Sequence, residues 1–536
     1  MPESDAILKR HEELAQLRSP NETAWRQIAR IVRPDDDAFD ARTEKERDDA
    51  EVFDSTPLYA LDSFVGGIFG QLTNPVNRWL ELAIGDKDLA RWGPVRDWLW
   101  GEASRILASL SPAVSSFYAE APAWFADLGA FGLGTLSQQE RIGQGRISDR
   151  AVALGESYID VDDEGAIDTY HRRFKWRGRQ MKQFFGSRLP SAEKVRDDSS
   201  YIIVHACFPN PEFDPRFLGA RSLPVRGVYT SPDHRDLYDM GGYPELPYHF
   251  LTWNRRAGRV YPTGPGHNAR PDMLTNNEME RSGLVAAQFD AEPPLLMRDE
   301  SAISVADIVP NAALYGAMSE RGEPQMAWLE KKNRPQLALQ QSEARKNNIR
   351  AAFLFSLMQL LQRPQMTATE FLGFQTELLR LGAPNLLRVQ MGLSSFIARR
   401  WKILQRAGQT APPPRELIGQ RISVEYVSPL AKVQKMEDGR AVLAVQEAVE
   451  KFAITDPRVR DKFDADVGID VVAESFYVPP KLIRDGETVK QIRQQRAADQ
   501  ARQMELEQTG KAVTIAAEAA HAVQAATLAN GRGRPQ

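Results

Sequence analysis

Four carboxylates crowd one short stretch of the chain: Asp160, Asp162, Asp163 and Glu164. Clustered carboxylates hold Mg²⁺ in metal-dependent nucleases, so a DNA-processing enzyme using Asp160–Glu164 is one reading. A metal site, however, needs ligands converging from separate elements. Here all four sit on one strand and turn, with Gly165 closing the turn, and a solvated hairpin tip is the favoured reading. Asp35-Asp36-Asp37 reads as a loop charge run. The glycine-rich segment Gly129–Thr135 (GAFGLGT) lacks the spacing of a dinucleotide fingerprint and reads as a bend. No phosphate-binding loop, nucleophile elbow or HExxH helix occurs. The seven histidines show no metal-ligand spacing and read as surface or core-edge residues, and Cys207 has no CxxC partner. No catalytic residue, cofactor or metal is expected.

Composition narrows the class. A chain of 536 residues suffices for two to four domains. Hydrophobic content of 42% with 26% charged residues is that of an ordinary globular protein. Net charge is −4 and the pI about 6.1, so no global field advertises a nucleic-acid binder. One cysteine excludes an intrachain disulfide and fits a reducing compartment. The first residues lack the basic and apolar regions of a signal peptide. The longest apolar run, Ala351–Leu361, falls far short of the ~20 residues that cross a bilayer, so a cytoplasmic protein without a membrane partner is expected.

Helical and strand periods place the elements. Asp54–Leu82 reads as Thr56 capping a helix, Pro57 at its first position, and an apolar stripe of Leu58, Leu61, Val65, Ile68, Phe69 and Leu72. Gly66-Gly67 loosens its middle, Asn74-Pro75 ends it, and a short Trp79/Leu82 strand follows. Ser19-Pro20-Asn21-Glu22 reads as a capping box opening a helix that Arg33-Pro34 stops. A Trp-rich helix covers about Asp88–Leu110. From about Ala130 to Val260 alternation and turn residues predict a mostly β region. Its clearest hairpin joins Tyr158–Val161 to Ala166–Phe174. Helices are predicted over Asp272–Phe289, Leu337–Leu361, from the capping box at Thr367 to Gly382-Ala383-Pro384, and over Asn385–Arg406. A strand at Arg421–Val427 precedes a helix to about Phe452, and the tail from Lys481 is helical with an interruption at Gly510. The sum is α+β, helix-dominated in its second half. Two helices pose a covering problem. Ala351–Leu361 is apolar all round, and Lys511–Asn530 is alanine-rich with a weak stripe. Either one chain's core or a ring of sister subunits can cover such helices.

The wording of several segments resembles the head-to-tail connecting (portal) proteins of short-tailed bacteriophages. They are DSTPLYALDSFVGGIFGQLTNPVNRWLEL (Asp54–Leu82), DEGAIDTYHRRFKWRGRQMKQFFG (Asp163–Gly186), GRVYPTGPGHNARPDMLTNN (Gly258–Asn277), QMTATEF (Gln365–Phe371), GQRISVEYVSPLAKVQK (Gly419–Lys435) and FYVPPKLIRDGETV (Phe476–Val489). Pro262-Thr263 and Thr252-Trp253-Asn254 depart from the family's usual wording. The resemblance implies a structural, non-enzymatic protein of the virion, assembled in the host cytoplasm into a ring of twelve at one vertex of the head. It implies a wing over 1–271, stem helices over 272–291 and 337–361, and a clip over 292–336. A tunnel loop over 362–366, a wing helix and return segment over 367–480, and a helical crown or barrel over 481–536 complete it. Its partners would be double-stranded DNA held weakly and without sequence preference, the terminase large subunit, tail adaptor and tail tube proteins, and the major capsid and scaffolding proteins. Arg345, Lys346, Arg350, Gln362, Arg363, Pro364, Gln365 and Met366 are the expected channel residues. Twelve copies at −4 carry about −48 formal charge, which repels a duplex rather than clamping it.

Overall fold

The computed structural model describes residues 2–34, 51–86, 89–297, 318–328, 335–353 and 368–530, apart from gaps of at most five residues. In chain order the first elements are α1 (Pro2–Val32), α2 (Thr56–Leu72), β1 (Leu80–Ile84), α3 (Gly93–Ser109) and α4 (Phe117–Phe131). A β-rich segment follows: β2 (Leu133–Arg141), β3 (Arg146–Val152), β4 (Ser157–Val161), β5 (Ile167–Arg177), helix α5 (Gly178–Phe185), β6 (Ser200–Pro209), β7 (Val225–Thr230), β8 (Leu237–Tyr243) and β9 (Tyr248–Thr252). Then come α6 (Pro265–Ala291), β10 (Leu295–Met297), β11 (Met326–Trp328), α7 (Pro335–Ala352) and α8 (Ala368–Arg406). The last are β12 (Ile422–Tyr426), α9 (Pro429–Ala453), α10 (Ala465–Ser475) and α11 (Gly486–Asn530). The fold is mixed α/β, as the sequence pattern predicts.

The chain divides into two compact units. The first comprises residues 1–80, 104–410 and 426–430. Its β-rich segment forms two antiparallel sheets, β3-β2-β9 and β4-β5-β6-β7-β8. The predicted hairpin is present: Ile159 faces Tyr170 across β4 and β5, and Gly165 turns the chain at φ +86°. Between helices and strands lies an aromatic core. Phe396 of α8 stacks on Phe117 at 4.9 Å and meets Trp124 edge-on at 5.9 Å, while Phe64 of α2 meets Trp253 at 5.2 Å. Such rings each bury a large apolar area and favour these offset and edge geometries.

Several predicted breaks are absent. Pro20 does not open a helix; it lies inside the 31-residue α1. Ile7, His11, Leu14 and Arg18 are buried on one side of it, and Trp25, Ile28 and Val32 on the other, forming one stripe, while Pro20 itself is exposed. Tertiary packing of that stripe outweighs one lost hydrogen bond, whose freed carbonyl faces water. The same holds for the exposed Pro271 and Pro384, so α6 begins at Pro265 rather than Asp272, and α8 runs unbroken past Pro384. Helix α11 likewise continues through Gly510. In α2 the buried positions are Pro57, Ala60, Leu61, Phe64, Ile68 and Leu72. The face is turned from the predicted stripe, because Phe64 rather than Val65 enters the core. Thr56 is the first helical residue rather than the cap; Ser55 holds the cap position without a side-chain bond, and Asp54 Oδ1 accepts from the Thr56 amide at 2.9 Å.

The glycine-rich segment is a packing junction, as the bend reading expects. Gly132 ends α4 in the left-handed region at φ +83°, and a Cβ there would stand 2.3 Å from the Thr263 carbonyl carbon. Gly264, on the opposing strand of chain, approaches equally closely from the other side. Gly132→Ala is therefore expected to lower stability by at least about 1–3 kcal/mol from the backbone alone. Gly66→Ala, exposed within α2 with open space around it, should be neutral or stabilising by up to about 1 kcal/mol. Thermal melts of the two variants check the contrast.

In the second unit, residues 81–103, 411–425 and 431–536, Trp98 Nε1 donates to the Ala411 carbonyl at 3.1 Å and Glu102 accepts from the Ala411 amide at 2.9 Å. These bonds anchor the proline-rich turn before β12. Helix α10 is capped by Asp464, whose carboxylate accepts from the Asp466 and Val467 amides. The 45-residue α11 is bound to α10 by a bidentate pair, Arg493 with Asp466 at 2.7 and 2.8 Å. From residue 493 to 526 every side chain whose burial is described is exposed. No helix among the described residues is long and apolar enough to cross a membrane.

Candidate functional site

The first site to test is the acidic hairpin. Asp162 Oδ1 accepts from the Ala166 amide at 2.7 Å, and the backbone pair Asp162–Ala166 closes the turn at 2.9 Å. Asp160 Oδ1 accepts from the Val161 amide and its Oδ2 is held by the Arg10 guanidinium. Asp163 and Glu164 point to solvent at the tip. The two inner carboxylates thus stabilise the turn and tie β4 to α1. Among the described residues no three His, Cys, Asp or Glu side chains converge as a metal site.

Four of the seven histidines correct the sequence reading, while His521 is exposed as expected. His11, His171, His205 and His249 are buried, not surface or edge residues. His205 stacks on Tyr229 at 3.9 Å and shares a 2.7 Å hydrogen bond with the Tyr248 hydroxyl, with Cys207 Sγ 3.4 Å from its other ring nitrogen. Burial pushes the Cys207 thiol up and the His205 imidazole down to about 3, so both are neutral, and the thiol is no nucleophile. Alternation on β6 puts residues 205 and 207 on one face; the pattern held the signal, but histidine type alone suggested exposure.

Of the expected channel residues, Arg345, Lys346 and Arg350 are placed on α7, which packs along α6; Gln362, Arg363, Pro364, Gln365 and Met366 lie outside the described residues. Each of the three cations already has a carboxylate. Arg345 Nη1 donates to Asp272 Oδ1 at 2.9 Å, Lys346 Nζ lies 2.8 Å from Glu280 Oε1, and Arg350 Nη1 donates to Glu343 Oε1 at 3.0 Å. Glu280 also accepts from Ser342. Hydrogen bonds from Lys346 and Ser342 hold the Glu280 carboxyl below its ordinary range, and the Glu280 hydrogen bond holds Lys346 above its own. All are partly exposed, so the pairs tune local charge more than stability. A phosphate approaching this surface competes with a standing partner for every cation. The second half of α6 is open to solvent, with Leu284 and Val285 exposed.

Two of the segments carrying the family resemblance, Asp54–Leu82 and Gly258–Asn277, meet in space. Asn276 Nδ2 donates to Asp54 Oδ2 at 2.7 Å, the Phe53 amide donates to Asn277 Oδ1 at 2.8 Å, and Asn277 Nδ2 donates to the Glu51 carbonyl at 2.9 Å. Residues 222 positions apart thereby clamp the start of α2 to α6. What those motifs encode is this joint, not a reaction. A family model described as "Bacteriophage head to tail connecting protein" matches residues 4–483. The chain belongs to that family. It is 25% identical over 556 residues to the portal protein of Salmonella phage epsilon15, covering 100% of this chain and 99% of that one. It is 26% identical over 506 residues to the probable portal protein of Bordetella phage BPP-1, covering 90% of each. Head-to-tail connecting proteins are structural, and this chain is not an enzyme, which removes the nuclease reading of Asp160–Glu164.

A buried pair elsewhere in the first unit also escapes sequence reasoning. Arg400 of α8 and Asp149 of β3 form a fully buried ion pair at 2.7 Å. Asp149 Oδ2 also accepts from Ser115 at 2.7 Å, and Arg400 Nε donates to Ser109 Oγ at 2.8 Å. The partners are 251 positions apart, so no local pattern announces them.

Proposed function

We propose that the protein is the portal subunit of a short-tailed phage. Twelve copies form a ring at one head vertex, through which DNA is packaged and ejected and on which the terminase motor and tail adaptor dock. The observation that carries this reading is the match of nearly the whole chain to head-to-tail connecting proteins, with portal proteins as full-length relatives. On this reading the wing is 1–271, α6 and α7 belong to the stem, 292–336 is the clip, 362–366 the tunnel loop, and 481–536 the crown.

Two physical features support it. From residue 493 to 526 every described side chain of α11 is exposed in the single chain, and a long isolated helix of weak amphipathicity is marginal in water; sister copies would cover it. The stem cations are already neutralised by Asp272, Glu280 and Glu343. A duplex with one charge per ~1.7 Å grips unpaired lysines and arginines tightly, and a conduit must not grip. Arg345, Lys346, Arg350 and Arg363 then give weak, regularly spaced contacts.

Twelve chains of 60.2 kDa amount to about 720 kDa. Light scattering at that mass with an end-on ring image is the expected result; a monomer that does not associate at high concentration overturns the ring. Charge-removing substitutions at the four cations should alter packaging density or genome retention. If both stay unchanged, these side chains do not touch DNA.

A further inference from the structure

A cleft of about 80 Å³ opens between the two sheets of the first unit. One wall is polar: Ser137 comes from β2, and Ser148 and Arg150 from β3. The facing wall belongs to the larger sheet, where alternation on β5 turns Arg172, Phe174 and Trp176 to the same side, and Phe184 of α5 closes one flank. The guanidinium of Arg172 lies 4.7 Å over the Phe174 ring, its Nε donates to Glu156 at 2.7 Å, and the side chain lines the cleft. Arg150 stands exposed at the rim. Two guanidiniums and no carboxylate line this space, and Phe184, itself an exposed ring, offers apolar cover at the mouth.

We propose that this cleft binds a carboxylate side chain presented by an acidic segment of a partner protein. Arg172 is already paired with Glu156, so Arg150 carries the charge that selects an anion. A cavity of about 150 Å³ admits benzene, so this smaller one fits a carboxylate on a short methylene stem and excludes a nucleotide. The planar fork of arginine matches a carboxylate in bidentate fashion, while the aromatic wall covers the stem. Duplex phosphates do not reach between two sheets. The inference stands on the cleft alone and does not depend on the portal reading.

The test uses the full-length protein and a fluorescein-labelled peptide, Gly-Glu-Phe-Glu-Gly, followed by fluorescence polarisation against its glutamine isostere. The acidic peptide should bind at least tenfold more tightly. Arg150→Gln, at an exposed position, should weaken it about 10- to 100-fold, the range of a charge-assisted hydrogen bond, and Ser148→Leu, which fills the cleft, should abolish it. Acetate should displace the peptide at lower concentration than inorganic phosphate. Equal binding of the two peptides, full affinity in Arg150→Gln, or stronger displacement by phosphate overturns the assignment. Thermal melting of Ser148→Leu checks that it folds; if it does not, Arg150→Gln and the peptide pair decide.

Discussion

Replacing Asp149 by alanine is expected to destabilise the first unit by about 3–5 kcal/mol, the cost of leaving a buried charge without its partner. The carboxylate is fully buried beside Arg400, with Ser115 on one oxygen and Gln138 3.4 Å from the other. Removing it strands a guanidinium that water cannot reach. Arg400→Ala should be as damaging for the converse reason. The double variant Asp149→Leu/Arg400→Met should recover much of the loss, because apolar groups of similar volume leave nothing unpaired. Urea unfolding followed by tryptophan fluorescence gives the comparison. Were the double variant no more stable than either single one, the penalty would lie in packing rather than in stranded charge.

Acidification from pH 6.5 to pH 5 should weaken the fold steeply. Burial is the largest cause holding five imidazoles below their ordinary range: His11 and His267 down to about 4, His171 and His205 to about 3, and His249 well below normal. Cations deepen the effect, with Arg173 and Arg18 beside His11, Arg10 near His171, Arg172 near His205, Arg399 near His249 and Arg270 near His267. In the folded chain these rings stay neutral; in the unfolded chain each takes a proton near pH 6.5. The unfolded state therefore binds more protons, and stability falls as pH drops through that window, by up to about 1.4 kcal/mol per pH unit for each ring. Carboxylates with lowered folded values, such as Glu280, act at more acid pH, so the window isolates the histidines. Melting temperature measured at half-unit steps should slope downward below pH 6.5, and His171→Gln should flatten the slope by about one proton. A melting temperature constant from pH 7 to pH 5 would show that these rings are protonated in the fold.

The channel expectation stands where chemistry meets assembly. Three of its eight residues are seen: Arg345 and Lys346 sit in ion pairs that the neighbouring helix supplies, and Arg350 pairs with Glu343 of its own helix. The spacing of cations on α7 was readable, but their neutralisation was not, because Asp272 and Glu280 lie on α6, more than sixty positions away. The same limit explains the buried histidines. Residue type suggested an exposed edge, whereas stacking on Tyr229 and a hydrogen bond to Tyr248 give His205 an interior place.

Local order determined what local physics controls. Alternation and Gly165 fixed the β4–β5 hairpin, the apolar period fixed where α2 lies, and the order of the D-S-T, GPG and TNN segments disclosed the family. Only tertiary structure decided whether Pro20 and Pro384 would interrupt a helix, since a continuous buried stripe or an outward-facing ring outweighs one missing bond. It also decided which charges are spent inside the chain. Asp149 finds Arg400, and Asp54 finds Asn276, across more than two hundred residues, because burying a polar group demands a partner wherever the chain can bring one.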